Sequence, residues 1–267
     1  GKERVIDART SEAEFFWNKN KSPSMVKQVT KLNEINYFKD LGSYFEKVQR
    51  MRKLGGIISD ELLISKEKVE LSSSICKVDL ASDLVGEFPE LQGLMGGKYL
   101  LAEGEPASVA LAVQEHYLPR GADDVLPSSD AGAVVALAER LELLLSIFAK
   151  GQRPTGSSEP YALRRAGNGI LQILWERQWR LDLQDLLQQA CNHWAELLPG
   201  FAIDASQLQA DLQEFLRQRL ISQLEEQGEA VDLVQAVTPQ SANQRLLRDP
   251  LDALDRLRLL EQLRSAG

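Results

Sequence analysis

The feature that most constrains the fold is the spacing of apolar residues between Asp130 and Lys150. Six large apolar side chains recur there at intervals of three and four residues, which places them along one face of an α-helix. These residues are Val134, Leu137, Leu141, Leu144, Ile147 and Phe148. The alternation of apolar and polar residues that marks a strand is hardly seen anywhere in the chain. We therefore predict an all-α fold.

Capping and breaking residues predict where several helices begin and end. The glycine pair at 55–56 is predicted to interrupt a helix, and residues 66–85 are predicted to form one helix. Asp130 is a candidate N-cap for the helix with the apolar stripe. Ser206 and Gln209 have the spacing of a capping box, which predicts a helix start at that point.

Composition and charge exclude several classes of protein. The chain has 267 residues and contains no apolar run long enough to predict a transmembrane helix, so no membrane partner is expected. Its net charge of −8 provides no overall basic field for nucleic acid. We expect no DNA partner, and any RNA contact must use a local patch. Cys76 and Cys191 lie far apart, which predicts two reduced thiols.

A candidate metal site is suggested by the order of Asp79, His116 and Glu139 along the chain. This order resembles the HD superfamily of metal-dependent phosphohydrolases, which has a helical core. Val78 stands where that superfamily has a metal-binding His, and Val cannot coordinate a metal. We therefore predict a catalytically inactive HD-like domain in which Val78, Asp79, His116 and Glu139 are vestigial positions and no metal binds. An active HD phosphohydrolase is the alternative.

A candidate phosphate-binding loop covers residues 151–158. Its glycines have the spacing of a nucleotide P-loop, but the motif's Lys is absent and the loop follows a helix instead of a strand. We predict RNA phosphate binding here instead of nucleotide binding, because the helix opened by Pro160 presents N–H groups. The candidate RNA-binding residues are Arg153, Thr155, Ser157, Arg164 and Arg165. Pairing of Arg164 or Arg165 with a structural carboxylate is the alternative.

A second basic segment lies near the N-terminus, where lysines and arginines between Lys19 and Lys53 interleave with aromatic residues, including those at 15–17. Basic and aromatic side chains together hold RNA by phosphate contact and stacking. Aromatic residues at helical spacing are more often part of a core, and that interpretation stays open.

Two segments point to one family. Residues 88–93, Phe-Pro-Glu-Leu-Gln-Gly, and residues 154–165, Pro-Thr-Gly-Ser-Ser-Glu-Pro-Tyr-Ala-Leu-Arg-Arg, resemble signature segments of the beta subunit of bacterial-type and plastid glycyl-tRNA synthetase. The other similar segments, in chain order, are 5–9, 15–17, 31–33, 41–43, 47–50, 77–80, 85–87, 115–119, 126–127, 137–141 and 151–153. The resemblance weakens after about Ile173. Glu139 stands where the family has Asp.

The resemblance implies a function that composition does not. In that family an α2β2 tetramer joins glycine to tRNA(Gly) with ATP and Mg²⁺, the alpha subunit carries the aminoacylation site, and the beta subunit chiefly recognises tRNA. We expect this chain to be an internal fragment that binds no cofactor itself and is not catalytic alone. A cytoplasmic location is expected, with a plastid as the alternative. A purely structural helical scaffold that docks the alpha subunit is a further alternative.

The same resemblance implies a domain organisation. Residues 1–20 are expected to end a preceding domain or linker helix, residues 21–158 to form the HD-like helical domain, and residues 159–267 to form a C-terminal helical domain. The anticodon-binding domain of the family is expected to be missing from this chain.

Overall fold

A computed structural model describes residues 24–228 and 230–267, together with Glu12 and Glu14. Within these residues the chain forms α-helices and short 3₁₀-helices, and the only strand-like pairing is an isolated bridge between Asn36 and Ser43. The predicted all-α fold is therefore confirmed. None of the helices in the described residues has the length and apolar character needed to cross a membrane.

The helices are numbered in chain order. They are α1 (Tyr44–Leu62), α2 (Lys66–Ile75), α3 (Asp83–Glu87), α4 (Leu94–Ala102), α5 (Ala107–Glu115), α6 (Asp130–Ala149), α7 (Leu163–Glu176), α8 (Leu183–Leu197), α9 (Ala205–Gln227), α10 (Val231–Val237), α11 (Asn243–Arg248) and α12 (Pro250–Ala266). The 3₁₀-helices are Val26–Glu34, Val78–Ala81, Pro89–Leu91, Pro160–Ala162, Pro199–Phe201 and Gln240–Ala242.

The chain divides into two compact units. The first comprises the described residues up to Gly56, Ser65–Tyr117 and Pro127–Val135, and the second comprises Ile57–Ile64, Leu118–Leu126 and Ala136–Gly267. The domain boundaries predicted after residues 20 and 158 stay predictions. The family segments at 5–9 and 15–17, and the basic residues of the N-terminal segment before Ser24, lie outside the described residues.

Helix α6 is more deeply buried than its apolar stripe predicts. All six stripe residues are buried, but so are Ala133, Val135, Ala136, Ala138 and Leu145 on its other faces. A helix that is apolar all round is typical of a core position. The apolar stripe therefore identified the helix but underestimated its burial.

The glycine pair at 55–56 does not interrupt a helix, and that prediction was wrong. Both glycines lie within α1. A Cβ added at Gly55 would stand 2.8 Å from Cγ1 of Val69 on α2. The missing side chain therefore serves close packing of α2 against α1, which outweighs the low helix propensity of glycine.

The single helix predicted over residues 66–85 is also not observed. Helix α2 ends at Ile75, and a 3₁₀-helix at Val78–Ala81 and the short α3 follow. Ser82 starts α3, because its Oγ accepts the backbone N–H of Val85 at 3.1 Å. The N-cap serine within the segment was missed.

Two predicted caps are replaced by neighbouring residues. Ser129 caps α6, because its Oγ accepts the N–H of Gly132 at 3.0 Å, and Asp130 is the first helical residue. Asp204 caps α9 by accepting the N–H groups of Ser206 and Gln207. Ser206 therefore lies inside α9, and the capping box predicted for it is absent. The carboxylate of Asp204, two residues before Ser206, accepts the N–H groups at the start of α9 in its place.

Candidate nucleic-acid interface

Asp79, a predicted vestigial metal position, caps a helix in this structure. Its side chain is only 1% exposed. Oδ2 accepts the backbone N–H of Gly93 at 2.7 Å and that of Gly96 at 2.9 Å, in the first turn of α4. These are N–H groups that a helix start leaves without partners, and a carboxylate there also interacts favourably with the helix dipole.

The environment of Asp79 changes its acidity. Burial raises the pKa of Asp79 to about 6, while the hydrogen bonds from Gly93 and Gly96 and the charge of Lys77 act in the opposite direction. Burial wins because the charged form loses its hydration in the core. The carboxylate is therefore a helix cap whose charged form is not fully compensated.

His116, the second predicted position, is fully buried beside the same loop. Its Nδ1 lies 2.5 Å from the carbonyl oxygen of Val113, and its ring packs 4.0 Å from the ring of Tyr117, measured between centroids. The Tyr117 hydroxyl donates to Oε1 of Gln92 at 3.1 Å and accepts from Nζ of Lys77 at 2.7 Å. His116 and Tyr117 are thereby fixed to the segment that precedes α4.

These contacts join three of the family-like segments in one group, which we call the Asp79 cluster: Lys77, Asp79, Gln92, Gly93, His116 and Tyr117. Gly93 stands at its centre with φ +80°. A Cβ at Gly93 would lie 2.8 Å from Cδ2 of Tyr117 and 3.4 Å from Cε1 of His116. Only glycine combines this backbone conformation with so close an approach.

The remaining HD positions do not add metal ligands to this group. Val78 is fully buried, and its side chain has no atom that could bind a metal. Glu139 is half-buried in the second unit, next to Arg140. Among the described residues, no three His, Cys, Asp or Glu side chains are arranged to hold a metal ion.

Glu115, which sequence reasoning did not single out as a site, anchors the start of α6. Its carboxylate accepts the backbone N–H of Ser128 at 2.5 Å, the N–H of Ser129 at 3.2 Å and both hydroxyls at 2.6 and 2.7 Å. It is 6% exposed. A buried acid that accepts four hydrogen bonds is structural, and its position beside His116 in the family-like segment 115–119 was the available signal.

Arg153, a predicted RNA-binding residue, is held by the protein itself. Its guanidinium donates to the carbonyl oxygens of Phe148 and Gln152 and to Oδ2 of Asp211 at 2.8 Å. The group also stacks 4.3 Å from the centroid of the Phe148 ring. Arg153 therefore ties the 151–158 loop to α9.

The tip of the loop is open to solvent. Thr155 and Ser157 are exposed, and the N–H of Ser158 donates to the carbonyl oxygen of Thr155 at 2.8 Å, which closes a turn. Two non-glycine residues, Tyr161 and Ala162, then adopt φ values of 56° and 55° just before α7. The predicted residues Thr155 and Ser157 are thus accessible, on a loop whose two ends are held in place.

The start of α7 differs in one respect from the open N-terminus that the sequence predicts. The carboxylate of Glu159 accepts the backbone N–H of Arg164 at 2.5 Å. An acidic side chain therefore already occupies one of the free donors. Nη1 of Arg164 donates to the carbonyl oxygen of Ser158 at 3.0 Å, so the side chain lies back along the loop.

The positive charges of Arg164 and Arg165 lower the pKa of two different arginines. The charge of Arg165 acts on Arg140, a buried residue that donates to the carbonyl oxygens of Pro119 and Ala136. The charge of Arg164 acts on Arg219 of α9. The structure therefore brings Arg164 close to an arginine that sequence reasoning missed, because 54 residues separate the two and no local pattern links them.

The comparisons agree with the segments described above. The family model described as glycyl-tRNA synthetase beta subunit matches residues 1–239. The glycine–tRNA ligase beta subunit of Acaryochloris marina is 41% identical over 273 residues, covering 100% of this chain and 38% of that protein. That of Geobacter metallireducens is 40% identical, over 99% of this chain and 38% of that protein. That of Aromatoleum aromaticum is 41% identical, over 89% of this chain and 34% of that protein. The chain thus spans little more than a third of the length of these relatives.

Proposed function

This chain belongs to the glycyl-tRNA synthetase beta subunit family, and on that premise we propose that it is a tRNA-binding, non-catalytic portion of the beta subunit of glycine–tRNA ligase. In this role it supports the ATP-dependent attachment of glycine to tRNA(Gly) in the cytoplasm. The similarity over the whole chain carries the proposal. The partner of the whole beta subunit is the alpha subunit, in an α2β2 assembly. ATP and Mg²⁺ are used by that whole enzyme, and we assign no binding site for ATP or Mg²⁺ to this chain.

The Asp79 cluster supports a structural role for the HD-like positions. Asp79 directs one oxygen at two backbone N–H groups, and His116 is fully buried against Val113 and Tyr117. A hydrolytic centre needs ligands around an open position for water. The geometry of Asp79 and His116 instead fixes the loop before α4, which favours the ligase portion over an HD phosphohydrolase.

The loop at 151–158 and the start of α7 support the RNA contact. Thr155 and Ser157 are exposed in the loop before α7, Arg164 is half-buried and Arg165 exposed in its first turn, and the overall charge of the chain is negative. A local arginine patch with hydroxyl donors is suited to phosphate contacts. Arg153 has a different role in the proposal, because it holds the loop through Asp211.

The proposal is tested by titrating the chain with tRNA(Gly) and with a non-glycine tRNA over a range of salt concentrations. We expect log affinity to fall linearly with log salt, because bound phosphates release counterions. The double substitution Arg164→Gln and Arg165→Gln is expected to weaken binding of both RNAs and to reduce the salt slope by about 2. A preference for tRNA(Gly) would assign recognition to this portion.

Arg256→Gln is the matched control, since Arg256 is paired with Asp252 at 2.9 Å on α12. It is expected to bind both RNAs as the unaltered chain does. Absence of binding to either tRNA at low salt would overturn the proposed RNA contact.

A second candidate role is docking of the alpha subunit, and an apolar surface on α12 favours it. Leu259 and Leu263 are 55% and 60% exposed, one helical turn apart. Leu259 also lines a cavity of about 320 Å³, together with Val237, Leu246 and Leu260. The test is direct binding of purified alpha subunit without RNA, compared with a Leu259→Ser and Leu263→Ser variant. Leu63→Ser, at a residue that is 93% exposed, is the control, and equal binding by all three proteins would exclude this surface.

A further inference from the structure

Arg219 is fixed against the first turns of α7 by the absence of a side chain at Gly167. A Cβ added at Gly167 would lie 2.9 Å from Cγ of Arg219 and 3.1 Å from Cε1 of Phe215. The aliphatic stem of Arg219 therefore lies directly on the backbone of α7. Gly167 follows Arg164 by three residues, so both belong to the same face of that helix.

The charge of Arg164 acts on the Arg219 guanidinium. Burial lowers the pKa of Arg219, and the charge of Arg164 lowers it further, while Glu159 and Glu226 act in the opposite direction. These two carboxylates are engaged elsewhere. Glu159 accepts the N–H of Arg164 at 2.5 Å, and Glu226 accepts from Nε2 of Gln223 at 3.3 Å.

Arg219 differs from two nearby arginines, Arg153 and Arg217, in having no carboxylate partner in the described part of the chain. Arg153 binds Asp211 at 2.8 Å, and Arg217 binds Glu214 at 2.7 Å. Among the described residues, the Arg219 guanidinium has neither an ion pair within 4 Å nor a hydrogen bond. A half-buried cation beside a second cation, without a bonded anion, is a position that an anionic ligand would stabilise.

We propose that Arg164 and Arg219 together bind one phosphate group of an RNA backbone. This inference rests on the proposed function and adds to it a residue of α9 that lies far from the loop in sequence. Two planar guanidinium groups offer paired N–H donors that match the oxygens of one phosphate.

The test compares tRNA affinity and salt slope for four substituted chains. Arg164→Gln and Arg219→Gln are each expected to weaken binding about tenfold at low salt. The double variant is expected to lose less than the product of the two single effects, with a salt slope lower by about 1, since one shared phosphate is released. Arg219→Lys, which keeps the stem over Gly167 and the charge, is expected to recover part of the affinity.

Arg217→Gln is the matched control, because Arg217 lies two residues away on the same helix and is paired with Glu214. It is expected to bind as the unaltered chain does. Circular dichroism and the melting temperature of each variant show whether the fold is retained. The inference is overturned if a folded Arg219→Gln chain binds tRNA with full affinity. It is also overturned if the losses of affinity in the double variant multiply and its salt slope falls by about 2.

A second measurement separates this inference from the proposed function. Inorganic phosphate is titrated into the chain while the arginine Nε–Hε resonances are followed by NMR. We expect the Arg219 resonance to shift and to lose that response in Arg164→Gln. If no tRNA binds but the phosphate response is present, the RNA function fails and the two-arginine anion site stands. If tRNA binds and Arg219 does not respond to phosphate or to substitution, the site fails and the proposed function stands.

Discussion

The backbone N–H of Gly93 donates to the buried carboxylate of Asp79 at 2.7 Å. This bond links two separate family-like segments, 77–80 and 88–93. Asp79 belongs to a 3₁₀-helix, and Gly93 starts α4. The same oxygen also accepts the N–H of Gly96 at 2.9 Å. The residue that resembles a metal ligand of hydrolases is therefore the N-terminal cap of a helix in this protein.

The first prediction concerns the pH dependence of stability at Asp79. Burial raises its pKa to about 6 in the folded chain, above the ordinary value of 3.8. The folded state therefore binds the proton more tightly, and the stabilising effect of the protonated form is lost as pH rises from about 4 through 6. The free energy of unfolding of the unaltered chain should fall relative to that of Asp79→Asn over this range, by up to about 3 kcal/mol.

Urea unfolding of both chains between pH 4 and pH 7 measures this difference. The comparison cancels the titration of all other carboxyl groups. Asp123→Asn, at an exposed loop position, controls for the removal of one negative charge. A stability difference between the unaltered chain and Asp79→Asn that does not change with pH would contradict the prediction.

The second prediction concerns Gly93. Gly93→Ala places a Cβ 2.8 Å from Tyr117 at a φ of +80°, so both packing and backbone conformation oppose it. We expect a loss of about 2 kcal/mol or more in the free energy of unfolding. Gly86→Ala is the control, since a Cβ there meets nothing within 4 Å and the position is helical. Its expected effect is neutral or stabilising by up to about 1 kcal/mol, and equal melting temperatures for the two variants would refute the role of Gly93.

The third prediction concerns Glu115. Glu115→Gln retains the shape of the side chain but turns one of its two acceptor oxygens into a donor that faces N–H and hydroxyl donors of Ser128 and Ser129. Buried donors left without an acceptor cost about 1–3 kcal/mol, so we expect a loss of that order. Chemical denaturation measures it, with Glu87→Gln at an exposed position as the control. A loss no larger than that of the control would show that the four hydrogen bonds are replaceable by water.

The fourth prediction concerns the pair Arg153 and Asp211, whose side chains are 31% and 33% exposed. The hydrogen bond from Arg153 lowers the pKa of Asp211. The folded state therefore releases the proton more readily, so the stabilisation is present above the unfolded pKa of Asp211 and is lost as pH falls through the folded value. A double-mutant cycle of Arg153→Gln and Asp211→Asn should give a coupling of about 0.5–1 kcal/mol at pH 7. Coupling that persists undiminished at pH 2 would contradict the assignment to an ion pair.

Sequence patterns predicted the helices well where the signal is local and periodic. The six apolar residues of the α6 stripe are all buried at their predicted spacing. Errors arose where a residue type has two uses. Glycine breaks helices in isolation, but at Gly55 it admits Val69 of α2. Asp and Ser near a helix start compete for the same N–H groups, and only backbone geometry shows that Ser129 and Asp204 cap α6 and α9.

The sequence by itself determined the all-α class, the family and the segments that carry the resemblance, because periodicity and motif are properties of neighbouring residues. Tertiary structure alone decided what those segments do. It showed that Asp79 caps α4, that Arg153 is bound by Asp211, and that Arg164 lies near Arg219. The physical reason is that the acidity of a buried carboxyl, and the pairing of an arginine, depend on side chains that the fold brings near from distant parts of the chain. A one-dimensional pattern contains the identities of those side chains but not their distances.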